Sequence, residues 1–169
     1  LSLVGSEMCI RDRGNEGSHY LCQAARRLLE AHQMERKRIG LSAEVLISAS
    51  QYWCNHGEPA LALRSAIAAQ SLHPGNAMVS LVCGQAAFAL GDVAAATTHA
   101  YESRRAAKRK SPFHFDSVAH DVALATLEVK IEATLGHVDT QRKIVESLCG
   151  RHPNDANAQA LRLRVLMQM

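Results

Sequence analysis

Residues Ala43 to Asn76 read AEVLISASQYWCNHGEPALALRSAIAAQSLHPGN: two apolar-faced segments, a glycine between them, and a proline–glycine turn at the end. Gly57 lies near the centre of the stretch, and Pro74 follows it by 17 residues. Gly91 comes 34 residues after Gly57, and Pro153 again follows Gly136 by 17. A fixed period of this size, with a turn glycine at its middle and a proline at its end, marks a repeated helix–turn–helix unit. Repeats of this kind bury their cores only by stacking on neighbours, and they serve more often as binding surfaces than as catalysts.

Local chemistry sets the helix limits. Ser42 is placed to cap a helix running to about His56, and Gly57 stops it, since a left-handed residue there carries no Cβ penalty. Pro59 opens the next helix at its first turn, where a missing N–H costs nothing. That helix runs to Leu72, His73–Asn76 turns the chain, and Asn76 caps a helix to Leu90. Gly91 and Asp92 lead into a helix from Val93 to about Lys108, and a longer connection from Arg109 to Asp116 follows. Asp116 caps a helix to Leu135, Gly136 and His137 turn into one ending near Gly150, and a last helix runs on from Asp155. Upstream, Ser18 to Met34 places Leu21, Ala24, Ala25, Leu28, Leu29 and Ala31 on one face, and the charged linker Glu35 to Leu41 follows. The expected fold is all-α: a solenoid of antiparallel helix pairs with about seven helices.

Composition agrees. Of 169 residues 47% are apolar, yet only 4% are aromatic, so alanine supplies much of the core. Small side chains let helices approach closely at their crossings. No apolar run is long enough to cross a bilayer. The net charge of +3 argues for no particular partner. Cys22, Cys54, Cys83 and Cys149 form no paired metal spacing and read as buried, reduced thiols in an intracellular protein, most simply a cytoplasmic one.

Leu1 to Arg13, LSLVGSEMCIRDR, resembles a translated sequencing-adapter string and is set apart as non-native. The expected divisions are 1–13, a flanking helix and linker at 14–42, and a repeat array at 43–169. Within the array the units are 43–76, 77–110, an insertion at 111–121, 122–155 and a final helix at 156–169. The final helix carries Leu161, Leu163, Val165, Leu166 and Met167 and is too apolar for a solvated cap, so a window cut from a longer array is expected. Self-association through this helix is the other expectation.

Counted from Ala43, Leu46 falls at position 4, Ser50 at 8, Trp53 at 11, Gly57 at 15, Ala62 at 20, Ala69 at 27 and Pro74 at 32. Counted from Ala77, Gly84, Gly91, Ala96 and Ala100 fall at 8, 15, 20 and 24, while Lys108 replaces the terminal proline. Counted from Val122, Gly136, Leu148 and Pro153 keep the pattern, whereas Glu132 and Gln141 break it. The gap from Gly91 to Gly136 is 45, eleven beyond one period, which places the insertion. In these residues the chain resembles the tetratricopeptide repeats. The resemblance implies a concave groove lined by the first helix of each repeat. It assigns to that groove Glu44, Ile47, Gln51, Cys54 and Asn55 from the first unit. Met78, Leu81, Gln85, Phe88 and Ala89 come from the second, and Ala123, Thr126, Lys130, Ala133 and Thr134 from the third. Ile47, Gln51, Leu81 and Gln85 depart from the lysine, asparagine and arginine of family members that clamp a carboxylate. The groove is expected to hold an extended or helical peptide by apolar contacts and amide hydrogen bonds.

No phosphate loop, nucleophile elbow or paired-histidine zinc motif is present. Neither a cofactor, a metal nor a catalytic residue is expected. His114, Asp116, His120 and Asp121 cluster near the insertion, but Asp116 reads as a helix cap rather than a ligand. Glu128 and Glu132 read as solvated carboxylates four residues apart. The basic run Arg104, Arg105, Lys108, Arg109 and Lys110 reads first as cations at a helix C-terminus, where they oppose the dipole. Its alternative is a patch for RNA, for an acidic partner or for an import receptor, with Phe113 and Phe115 nearby. The leading expectation is a protein–protein interaction scaffold. The alternative is a non-catalytic repeat arm of a larger enzyme, such as a transferase.

Overall fold

The computed structural model describes residues 43–108 and 116–168, together with Gln23 and Arg27. Those two are helical, but the remainder of the helix expected at Ser18–Met34 lies outside the described residues, as do Ser42, Cys22, 1–13 and 109–115. No described residue lies in a strand, and from residue 43 onward the described residues form seven helices. They are α1 (Ala43–Asn55), α2 (Pro59–Leu72), α3 (Ala77–Ala89), α4 (Val93–Ala107), α5 (Ser117–Thr134), α6 (Val138–Arg151) and α7 (Ala156–Met167). None of them is long and apolar enough to cross a membrane.

The helix ends follow local chemistry. Gly57, Gly91 and Gly136 adopt φ of 76°, 84° and 76°, a conformation that any residue with a Cβ enters at a cost. Pro59 sits in the first turn of α2. The Asn76 side chain accepts from the backbone N–H of Met78 and Val79, and Asp116 accepts from Val118 and Ala119. Asp92 and Asp155 cap α4 and α7 in the same way, through the N–H of Ala95 and of Ala158. Each such bond occupies a donor the helix cannot satisfy internally. Asn76→Ala is therefore expected to lower stability by about 1 kcal/mol in chemical denaturation.

The order of packing is regular. α1 contacts α2 and α3, α3 contacts α4 and α5, and α5 contacts α6 and α7. Among the described residues each even-numbered helix meets only its two neighbours in the chain, whereas α1, α3, α5 and α7 touch one another in succession. Small side chains stand where helices cross: Ser50, Ala62 and Ala96 are fully buried. A Cβ built on Gly84 would lie 2.9 Å from Leu127 Cδ2 and 3.3 Å from His99 Cβ, so α3 approaches its neighbours closely there.

Larger residues fill the space beside these crossings. Leu46 packs with Ala66, Ala69, Val79 and Val82, and Trp53 packs with Ala49, Ala62 and Ala86. Leu81, Ala96, Ala100, Leu124 and Leu127 join α3, α4 and α5. Val145, Leu148, Ala158, Leu161 and Val165 join α6 and α7 onto α5 through Ala125 and Val129. Burial of a leucine such as Leu46, Leu81 or Leu148 stabilises by about 2 kcal/mol. The third unit departs from the small-residue rule, since Gln141 is buried where alanine was expected. On α7, Leu163, Leu166 and Met167 remain exposed.

Candidate functional site

Because α1, α3 and α5 lie in succession, their side chains share a face. On it is a cavity of about 410 Å³. Gln51, Cys54 and Asn55 enter from α1, Gln85, Phe88 and Ala89 from α3, and Ala123, Thr126, Leu127 and Lys130 from α5. All but Leu127 are positions the sequence assigned to a groove. Leu127 was missed because a buried leucine reads as core. It is core, and it also reaches the cavity wall.

Some assigned positions fall elsewhere. Leu81 was expected to line the groove, but it is fully buried in the core. The reason is its place on the middle helix of the row, where Leu124 and Leu127 of α5 cover it. Ile47 and Met78 are half-buried against the core clusters, and Glu44 is exposed beyond the cavity. Ala133 and Thr134 are exposed at the end of α5, where the Thr134 hydroxyl donates to the Lys130 carbonyl.

The chemistry of the cavity is mixed. Gln51, Gln85 and Asn55 offer amides that donate and accept, Phe88 offers a half-buried ring, and Lys130 brings one cation. The Thr126 hydroxyl is spent locally, donating to the Val122 carbonyl at 2.8 Å. Burial pushes the Cys54 thiol above its ordinary range, opposed by the Lys130 charge across the groove. A thiol held protonated is a poor nucleophile. Cys54 is half-buried rather than sealed in the core, unlike Cys83 and Cys149. Burial, reinforced by Glu102, pushes Cys83 up to about 11.

The residues near the insertion are brought into a different arrangement. His114 lies outside the described residues, and Asp116 caps α5. His120 is buried and bonds through Nε2 to Ser103 Oγ at 2.9 Å, with Nδ1 3.7 Å from Asp121. A serine, a histidine and an aspartate in line resemble a nucleophile with its base. Ser103, however, is fully buried and donates its proton to the Ala77 carbonyl at 2.8 Å. Its lone pairs then accept from His120, so the chain of bonds ties α3, α4 and α5 together and exposes no nucleophile. Among the described residues no three metal-type side chains converge.

The charged groups are engaged more than their sequence suggests. Arg104 was read as a cation at a helix C-terminus. It does lie in the last turn of α4, but it grips Glu128 of α5 through two contacts, the Nε bond being 3.1 Å. Glu128, expected to be solvated, is only 15% exposed, and burial raises its carboxyl despite Arg104. Glu132 pairs with His137 at 2.8 Å. Arg105 and Lys108 are exposed, and Arg109 and Lys110 lie outside the described residues.

No family model matches this chain. No curated protein matches it in sequence either.

Proposed function

We propose that the chain is a tetratricopeptide-like solenoid of antiparallel helix pairs whose groove holds a peptide or helical segment of a protein partner. The observation that carries the reading is the composition of the 410 Å³ cavity. Gln51, Cys54 and Asn55 stand at repeat positions 9, 12 and 13 of the first unit, and Gln85, Phe88 and Ala89 occupy the same positions in the second. Lys130 holds position 9 of the third. Equivalent positions of successive units therefore meet on one surface. The succession of α1, α3, α5 and α7 supports the solenoid, since a helix-pair array places its first helices side by side.

Amides at position 9 in two units favour an extended backbone or a polar helix face as the bound element. Phe88 and Leu127 give it an apolar seat. A single cation, Lys130, does not make a carboxylate clamp. The role is one of holding a partner, with no chemistry on it.

The test uses peptides selected from a randomised displayed library on the full chain. The triple variant Q51A/Q85A/K130A is expected to weaken the selected peptides roughly tenfold or more, with its helical signal unchanged. Substitution of the exposed Arg142 on α6 should leave them as they were. Equal binding by the groove variant and the unaltered chain would remove the proposal.

A further inference from the structure

Helix α5 has two working faces. Ala123, Thr126 and Lys130 close the groove, while Asp121, Leu124, Ala125 and Glu128 form the floor of a second cavity, of about 540 Å³, between α4, α5 and α6. Two of those floor residues are apolar, and Ala107 of α4 and Ile144 of α6 extend the apolar surface. The rim is basic. Arg104, Lys108, Lys143 and Arg151 face the cavity, against the two carboxylates of Asp121 and Glu128.

Both carboxylates are already engaged. Glu128 is held by Arg104, and Asp121 by Arg151 and by His152 at 3.0 Å. Lys108 and Lys143 are exposed and make no ion pair with a described residue. The cavity thus combines an apolar floor with two ammonium groups that pair with no carboxylate among the described residues. We propose that it is a second docking surface, taking an acidic peptide segment in which an apolar side chain is flanked by carboxylates. The apolar side chain seats against Leu124, Ala125 and Ile144, and the flanking carboxylates meet Lys108 and Lys143.

A peptide fits better than a nucleic acid for two reasons. Among the described residues no aromatic ring lines the cavity, so none of them offers a base a surface to stack on. The carboxylates of Asp121 and Glu128 also stand inside it, where a phosphodiester chain would approach them closely. A short acidic peptide keeps its charges at the rim and sends only an apolar group to the floor. Rim charges of this kind govern encounter and salt dependence.

The test is fluorescence anisotropy of the full chain with a fluorescein-labelled peptide in which one leucine is flanked on both sides by aspartates. Saturable binding is expected, weakening as salt rises, with affinity falling roughly tenfold or more in K108E/K143E. Both lysines are exposed, so the variant retains its fold, which circular dichroism verifies. The groove variant Q51A/Q85A/K130A should bind this peptide as the unaltered chain does, which separates the second surface from the first. No binding by the unaltered chain, or equal binding by K108E/K143E, overturns the proposal. So does equal binding of a peptide with lysines for the aspartates, or displacement of the acidic peptide by a single-stranded RNA oligonucleotide at lower concentration.

Discussion

Gly84→Val is expected to lower the free energy of unfolding by about 3 kcal/mol, at the upper end of the range for overpacked cores. The position is buried on α3 where that helix meets both α4 and α5. A single added carbon already approaches Leu127 Cδ2 to 2.9 Å, His99 Cβ to 3.3 Å and the Ala96 carbonyl to 3.4 Å. Valine adds two further methyl groups with one favoured rotamer in a helix, so it cannot turn away from all three neighbours. Alanine is a milder probe. Its better helix propensity, about 1 kcal/mol over glycine, opposes the cost of shifting one flexible leucine methyl. Gly84→Ala should therefore lie within about 1 kcal/mol of the unaltered chain. Urea denaturation followed by circular dichroism separates the two outcomes. Similar midpoints for valine and alanine would mean that α3 is not packed closely against α4 and α5.

His120→Ala is expected to cost about 2–3 kcal/mol, because it opens a hole and removes the hydrogen-bond partner of a buried hydroxyl. The imidazole also makes stability depend on pH. Burial lowers the His120 pKa below its ordinary 6.5, and the Asp121 charge opposes that shift only in part. A lowered pKa means that, on acidification, the unfolded chain takes up a proton before the folded one. Stability from this group is thus complete above pH 6.5 and is lost as pH falls below it. The readout is a difference between two proteins that share every other titratable group. Between about pH 7 and pH 5 the unaltered chain should lose more stability than H120A does. Parallel pH profiles for the two proteins would show that His120 is not held neutral in the fold.

These two positions differ in how far the sequence discloses them. Gly84 is legible, because the period places a small residue, Ser50 or Gly84, at the eighth position of the first two units and the structure finds a crossing there. Asn76, Pro59 and the turn glycines are legible for a similar reason, since a cap or a turn is decided by residues two or three apart. The Ser103 bonds are not legible. They join residues 17 and 26 positions apart, and no local rule pairs a serine with a carbonyl at that distance. Arg104 illustrates the same limit. A cation at a helix C-terminus has a local explanation, yet its carboxylate partner comes from the next helix.

The groove shows both behaviours at once. Gln51, Cys54, Gln85 and Phe88, assigned by the resemblance, are found together on one cavity. Leu81 is not, because α5 lies against α3 and buries it. The insertion sharpens this difficulty, since it leaves the register of the third unit to Gly136, Leu148 and Pro153. Gln141, buried where a small residue was expected, is the cost of that weaker pattern.

The most direct test of the groove is a chemical-shift titration of the isotopically labelled full chain with a peptide from the displayed library. The account predicts shifts concentrated at Gln51, Asn55, Gln85, Phe88, Ala123, Thr126 and Lys130, which line one cavity across α1, α3 and α5. Shifts confined to the outward residues of α2, α4 and α6, with the groove residues unmoved, would contradict it.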